Sequence, residues 1–159
     1  MNRDICGSLC PRFLSAYRSS QAELICESFL HWFGRPLVRS SGCLGEALFE
    51  ASTAIVSHGL ELNPIFNYGN RMALSVFKMD WADFVALPSE ESAEPLARSE
   101  RLKLLSLVER NGFVEGYSGV RIDSAGRRFR IVNGTVWNLV NQEDDFMGQA
   151  ACFDNWEEI

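Results

Sequence analysis

The chain has 159 residues, 47% hydrophobic and 23% charged, with a net charge of −6. That length holds one domain with a sizeable core. The acidic balance without a basic arm speaks against autonomous nucleic-acid binding, and no apolar run reaches transmembrane length, so a cytoplasmic protein with no membrane contact is expected. The N-terminal MNRDICGSLCPRF lacks the continuous apolar core and cleavage site of a signal peptide. Five scattered cysteines, Cys6, Cys10, Cys26, Cys43 and Cys152, argue against a disulfide framework and offer no zinc spacing, so no metal site is expected.

Residues 1–18 show no period and read as a loosely docked lead-in. Ser20-Gln21-Ala22-Glu23 has the pattern of a capping box, and Ala22, Ile25, Phe29, Trp32 and Phe33 follow at helical spacing until Gly34 stops the helix. Such an aromatic face must dock on the main body or on a second subunit. Leu44 to Glu50 reads as a short helix, Ser52 to Ser57 and Ile65 to Tyr68 as strands. Asn70 is placed to cap a helix through Met72, Ala73, Val76 and Phe77, and Asp80 to cap one carrying Trp81 and Phe84, which Pro88 ends. The polar connection PSEESAEP leads to a helix over residues 96–111, with Leu102, Leu105 and Val108 on one stripe. Three longer strands follow, joined by turns at Ser124–Gly126 and at Gln142–Gly148. Asn133-Gly134 fits either a hairpin turn or a bulge inside one long strand. Helices lying between flanking strands make the fold α+β.

Charge is unevenly spread. From Arg98 to Arg130 there are eight Lys/Arg and four Asp/Glu, whereas the stretch from Glu143 holds six acids and no base. The basic cluster reads first as a solvated face and second as a place for an anion. Tyr117 and Arg121 lie four apart and so share one face of a strand, whereas Trp137 and Asn138 must point to opposite faces. Arg127 and Arg128 also oppose each other, so one of them can enter the interior, where it would need a carboxylate or an anionic ligand. Glu94, Glu100 and Glu115 are the candidate carboxylates. Ser57 and His58 are adjacent and therefore cannot form a simple dyad. With no Gly-x-Ser-x-Gly, His-Glu-x-x-His, P-loop or dinucleotide fingerprint, no catalytic residue is assigned and an enzyme is not expected.

Several of these segments resemble the MEKHLA domain family, a PAS-like module found at the C-terminus of plant class III homeodomain–leucine zipper proteins and as free-standing bacterial proteins. The resemblance rests on Ser57-His58, Asn63-Pro64-Ile65-Phe66-Asn67-Tyr68-Gly69-Asn70, Leu87-Pro88-Ser89, Ala93-Glu94, Arg98 and Arg101. It continues through Gly112-Phe113, Tyr117-Ser118-Gly119-Val120-Arg121, Gly126-Arg127-Arg128-Phe129, Thr135-Val136-Trp137-Asn138 and Gly148-Gln149-Ala150-Ala151. Glu90-Glu91 departs from the pattern where a basic residue is expected. The resemblance implies a PAS-like five-stranded antiparallel sheet with helices on one face, preceded by the N-terminal amphipathic helix. It divides the chain into an extension with that helix (1–43) and the PAS-like domain (44–159), and turns Asn133-Gly134 into a bulge.

PAS modules hold ligands between the inner sheet face and the long helix. The resemblance therefore makes Asn67, Tyr68, Tyr117, Arg121, Arg128, Trp137, Asn138 and Gln149 the candidate ligand-binding residues. Gln149 occupies a position similar to the glutamine that contacts flavin in light-sensing relatives. Tyr117, Asn138 and Gln149 could equally satisfy one another or the backbone. Covalent flavin chemistry is excluded, because Asp80 to Arg110 contains no cysteine, and haem is disfavoured, because residues 96–111 contain no histidine. His58 is read as a hydrogen-bonded structural residue. The cofactor is otherwise unknown. The expected role is a sensory or small-ligand-binding module for a small molecule or organic anion that acts through a partner protein, with a homodimer formed through the N-terminal helix. A ligand-free dimerisation or interaction module is the alternative, and a small enzyme with a cone-shaped α+β cavity the third reading.

Overall fold

The computed structural model describes residues 19–94 and 98–159. The expected lead-in at 1–18, Pro95 and the start of the 96–111 helix lie outside the described residues. The elements are α1 (Ser19–Phe33), α2 (Leu44–Phe49), β1 (Ala54–His58), β2 (Phe66–Gly69), α3 (Arg71–Phe77), α4 (Trp81–Phe84), a 3-10 turn (Ser89–Ser92), α5 (Arg98–Asn111), β3 (Phe113–Ile122), β4 (Arg128–Val140), β5 (Phe146–Phe153) and β6 (Asn155–Glu158). All pairings are antiparallel, in the order β2-β1-β5-β4-β3. Beyond the five expected strands, β6 pairs with the first part of β4 at Phe129–Val132, while β5 pairs with its second part.

Local chemistry explains most boundaries. Asn70 caps α3 by accepting from the Ala73 amide, and Asp80 caps α4 through the Asp83 amide. Gly34, at φ +68°, ends α1 by donating to the Leu30 carbonyl. Ser20, expected as the cap of α1, instead lies within the helix.

Asn133 adopts φ 54° and the β3–β4 register slips beside it, so Asn133-Gly134 is a bulge inside one long strand. The extra residue reverses the alternation of faces. Phe129 and Ile131 join the core shared with α3, whereas beyond the bulge Trp137 and Leu139 join the core shared with α1.

The sheet is covered on both faces. On the inner face Ala54, Val56, Phe66, Phe129, Ile131 and Phe153 pack against Ala73, Val76 and Phe77 of α3 and Phe84 of α4. On the outer face Ala22, Ile25 and Phe29 of α1 bury against Ile55, Tyr68, Trp137, Leu139 and Ala150. Each large apolar side chain buried there is worth about 1.5–3 kcal/mol. The aromatic face of α1 is thus consumed inside the chain, with Phe29 edge-on to Trp137 at 5.0 Å.

Cys26 and Cys152 are half-buried free thiols whose pKa is pushed up to about 12, chiefly by burial, so both carry their proton at neutral pH. Cys43, by contrast, is disulfide-bonded, although no disulfide was expected from the cysteine spacing. Among the described residues no helix is long and apolar enough to cross a membrane, and no cluster of His, Cys, Asp or Glu could hold a metal.

Candidate functional site

A cavity of about 70 Å³ lies between α5 and the inner sheet face. Its apolar walls are built from side chains such as Val56, Phe66, Phe77, Ile131, Val136 and Phe153. Its polar side is made by His58 of β1, Ser89 of the 3-10 turn, Arg101 of α5, Tyr117 and Arg121 of β3, and Gln149 of β5.

Tyr117 and Arg121 share a face as their spacing requires, the guanidinium standing 5.6 Å from the phenol ring centroid. Gly119, on the same face between them, leaves room for the ring. A Cβ there would collide with the Tyr117 hydroxyl. Arg121 is buried and donates to the Val120 carbonyl at 2.8 Å. Arg101 is only 5% exposed and donates to the Ser89 hydroxyl. Burial, followed by the neighbouring charge of Arg121, pulls the Arg101 guanidinium down to about 10.

Sequence reasoning missed Arg101 as an interior residue. The expected stripe of Leu102, Leu105 and Val108 is rotated, because Leu102 is 56% exposed and the buried positions of α5 are Arg101 and Val108. Arg101, Leu104, Leu105 and Val108 follow the i, i+3, i+4, i+7 pattern of one helix face, with an arginine at its head. That spacing was the available signal.

Asn138 and Gln149 play a different part. They stand directly opposite each other on β4 and β5, with Gln149 Nε2 donating to Asn138 Oδ1 at 3.2 Å. Gln149 also donates to the Leu105 carbonyl at 3.0 Å and Asn138 to the Glu109 carbonyl at 3.1 Å. The pair therefore fastens α5 to the sheet, and Asn138 satisfies one of the last-turn carbonyls left free at the helix end.

His58 lies inside, its Nδ1 3.1 Å from the Gly59 carbonyl and its Nε2 buried without a hydrogen-bond partner among the described residues. Burial, above all, holds its pKa below the ordinary value. Ser57, on the opposite face, donates to Asn67 Oδ1 at 2.5 Å.

The other candidates are placed elsewhere. Asn67 belongs to an outer-face network with Ser57 and Gln21, because a bulge in the β1–β2 ladder turns it away from the cavity. Tyr68 and Trp137 are fully buried in the α1 core. Arg128 is an exposed residue paired with Glu94 at 3.2 Å, and Arg127 is exposed too. Neither enters the interior, because Phe129 and Ile131 take the core positions of that strand. The interior arginines are Arg101 and Arg121, and neither forms an ion pair with a carboxylate among the described residues. A larger hollow of about 500 Å³, lined by residues such as Arg35, Pro36, Ala51, Ser52 and Asp154, holds no buried charge.

Comparisons agree with this architecture. Homeobox-leucine zipper protein HOX9 of Oryza sativa subsp. indica is 23% identical over 139 residues, covering 85% of this chain but only 16% of its own length. The chain thus corresponds to a small part of that relative. The PAS domain of a protein from Colwellia psychrerythraea is similar in structure, with a TM-score of 0.60 at 16% identity, covering 72% of this chain and 92% of that one. The blue-light photoreceptor Vivid in its photo-excited form gives 0.56 at 15% identity, covering 81% and 92%. The fold is therefore that of PAS domains. The MEKHLA domain profile matches residues 19–158, from α1 through β6, and the chain belongs to the MEKHLA domain family.

Proposed function

We propose that this chain is a PAS-like sensory module that takes a small molecule into the cavity between α5 and the inner sheet face, and that it signals through a partner protein rather than by catalysis. The observation that carries the reading is an apolar cavity with ionisable side chains, Arg101, Arg121 and His58, buried at its edge. Burying unpaired charge costs stability, and natural proteins place such groups mainly where they act. Membership of the MEKHLA family and the PAS fold support the same reading. The cavity is about half the ~150 Å³ that accommodates benzene in an engineered apolar site, so the ligand has only a few non-hydrogen atoms. An isoalloxazine ring does not fit this volume.

Amide NMR of the purified chain against a panel of small metabolites tests the proposal. Shifts confined to Val56, Val136, Tyr117 and Gln149, abolished by cavity-filling Val136→Phe, are expected. A panel that moves no inner-face signal, together with stability unchanged by every compound, would favour a ligand-free interaction module instead.

A further inference from the structure

The polar side of the cavity is cationic, and among the described residues no carboxylate forms an ion pair with its arginines. A guanidinium carries five N–H donors. Among the described residues Arg101 finds only the Ser89 hydroxyl and Arg121 only the Val120 carbonyl. The acids that might have neutralised them form no ion pair with either arginine among the described residues, Glu100 included, although it lines an outer hollow beside them. Glu94 pairs with Arg128, Asp123 pairs with Lys78, and Glu90 acts on Arg101 only through space. Two buried like charges lining one hollow repel each other, and an oxyanion between them would remove that cost while filling the empty donors.

The rest of the cavity selects the kind of anion. Away from the arginines its walls are Phe66, Phe77, Ile131 and Phe153. A phosphate or sulfate would satisfy the donors but leave this apolar end unfilled. A second hollow, of about 220 Å³, lies between α5 and β3 and is lined by Arg101, Leu104, Tyr117 and Arg121, which also line the inner cavity. The arginine pair therefore stands between an outer cleft and the apolar interior, where an entering anion meets it first.

We propose that the cavity binds a short-chain monocarboxylate, its carboxylate held by Arg101 and Arg121 and its hydrocarbon tail packed against Phe66, Phe77 and Phe153. This rests on the reading of the cavity as a ligand site. The inner volume limits the hydrocarbon tail to about three non-hydrogen atoms, with the carboxylate at the arginines between the two hollows, which fits propionate or butyrate.

The test uses the whole chain, with sodium propionate, sodium butyrate, sodium phosphate, butyramide and sodium chloride at matched ionic strength. Propionate or butyrate is expected to raise the melting temperature by several degrees at about 100 times its dissociation constant. Arg101→Met and Arg121→Met should each weaken that affinity by about tenfold or more while remaining folded. In wild-type protein the side-chain Nε–H signals of Arg101 and Arg121 should shift on butyrate addition, a readout independent of any variant. Butyrate response undiminished in both arginine variants would overturn the proposal, as would phosphate binding more tightly than butyrate. Butyramide binding in the cavity without any carboxylate effect would overturn the anion inference and leave the sensory reading standing. No shift of any inner-face signal with any of these probes would overturn the carboxylate inference, and the sensory reading falls with it only if the wider metabolite panel also leaves the inner face unmoved.

Discussion

The two faces of one sheet differ in how they settle their polar groups. On the outer face α1 supplies both the apolar cover and the hydrogen-bond partners. Ser28 Oγ donates to the Val140 carbonyl at 3.2 Å and accepts from its amide at 2.9 Å, and Trp32 Nε1 donates to the Asn138 carbonyl at 2.9 Å. Gln21 joins Ser57 and Asn67. Among the described residues the buried indole nitrogen of Trp137 has no hydrogen-bond partner there. On the inner face α5 brings Arg101 against Arg121, neither paired with a carboxylate among the described residues, beside His58, whose Nε2 has no hydrogen-bond partner among them. A face that a protein completes for itself is structural. A face left with unmet donors around a hollow has room for something else.

The strongest way to break this contrast is at Trp137. Trp137→Ala should cost about 3–5 kcal/mol in urea denaturation, the usual range for emptying a fully buried aromatic site. It should also leave cavity ligand binding in the surviving folded fraction unchanged. A loss below about 1 kcal/mol would mean that α1 is not part of the folded unit.

The next effect has the opposite sign. Arg101→Met should raise the stability of the ligand-free protein by about 1–3 kcal/mol, because an uncompensated buried charge gives way to an apolar side chain of similar length. A destabilised variant would show that Arg101 is paired in solution and that the inner face, too, is self-satisfied.

Ser28→Ala should cost about 1–2 kcal/mol by removing both hydrogen bonds to Val140. A neutral result would place water in that position and weaken the claim that the outer face is closed.

The smallest expected effect concerns pH. His58 has its folded pKa depressed below 6.5, chiefly by burial, with Arg101 also disfavouring the charge and Glu61 favouring it. The unfolded chain therefore binds its proton first. The contribution to stability is complete above pH 6.5 and is lost as pH falls from there toward the folded value. His58→Phe should flatten this part of the stability–pH curve, and a curve of unchanged slope would remove His58 from the account.

Much of the chain was legible from residue order because its signals are local. The Asn70 and Asp80 caps, the Gly34 stop and the aromatic face of α1 act within a few residues of themselves. Strand alternation correctly separated Trp137 from Asn138, Ser57 from His58, and grouped Tyr117 with Arg121. The resemblance put Asn67 at the cavity, where the β1–β2 ladder instead carries an extra residue. The bulge at Asn67 puts that side chain on the α1 face, a displacement that is set between strands rather than within one. The additional strand β6, which pairs with the first part of β4, was not among the five expected strands.

Sequence by itself determined the α+β class, the five principal strands, the Asn70 and Asp80 caps, the Gly34 stop and the family resemblance, since periodicity, capping and turn chemistry are properties of neighbours in the chain. Tertiary structure alone decided which arginines are buried. Arg127 and Arg128 are displaced to the surface by Phe129 and Ile131, while Arg101 is carried inward by the rotation of α5 over the sheet. The physical reason is that desolvating a charge depends on what packs over it, and that is fixed by elements far apart in sequence.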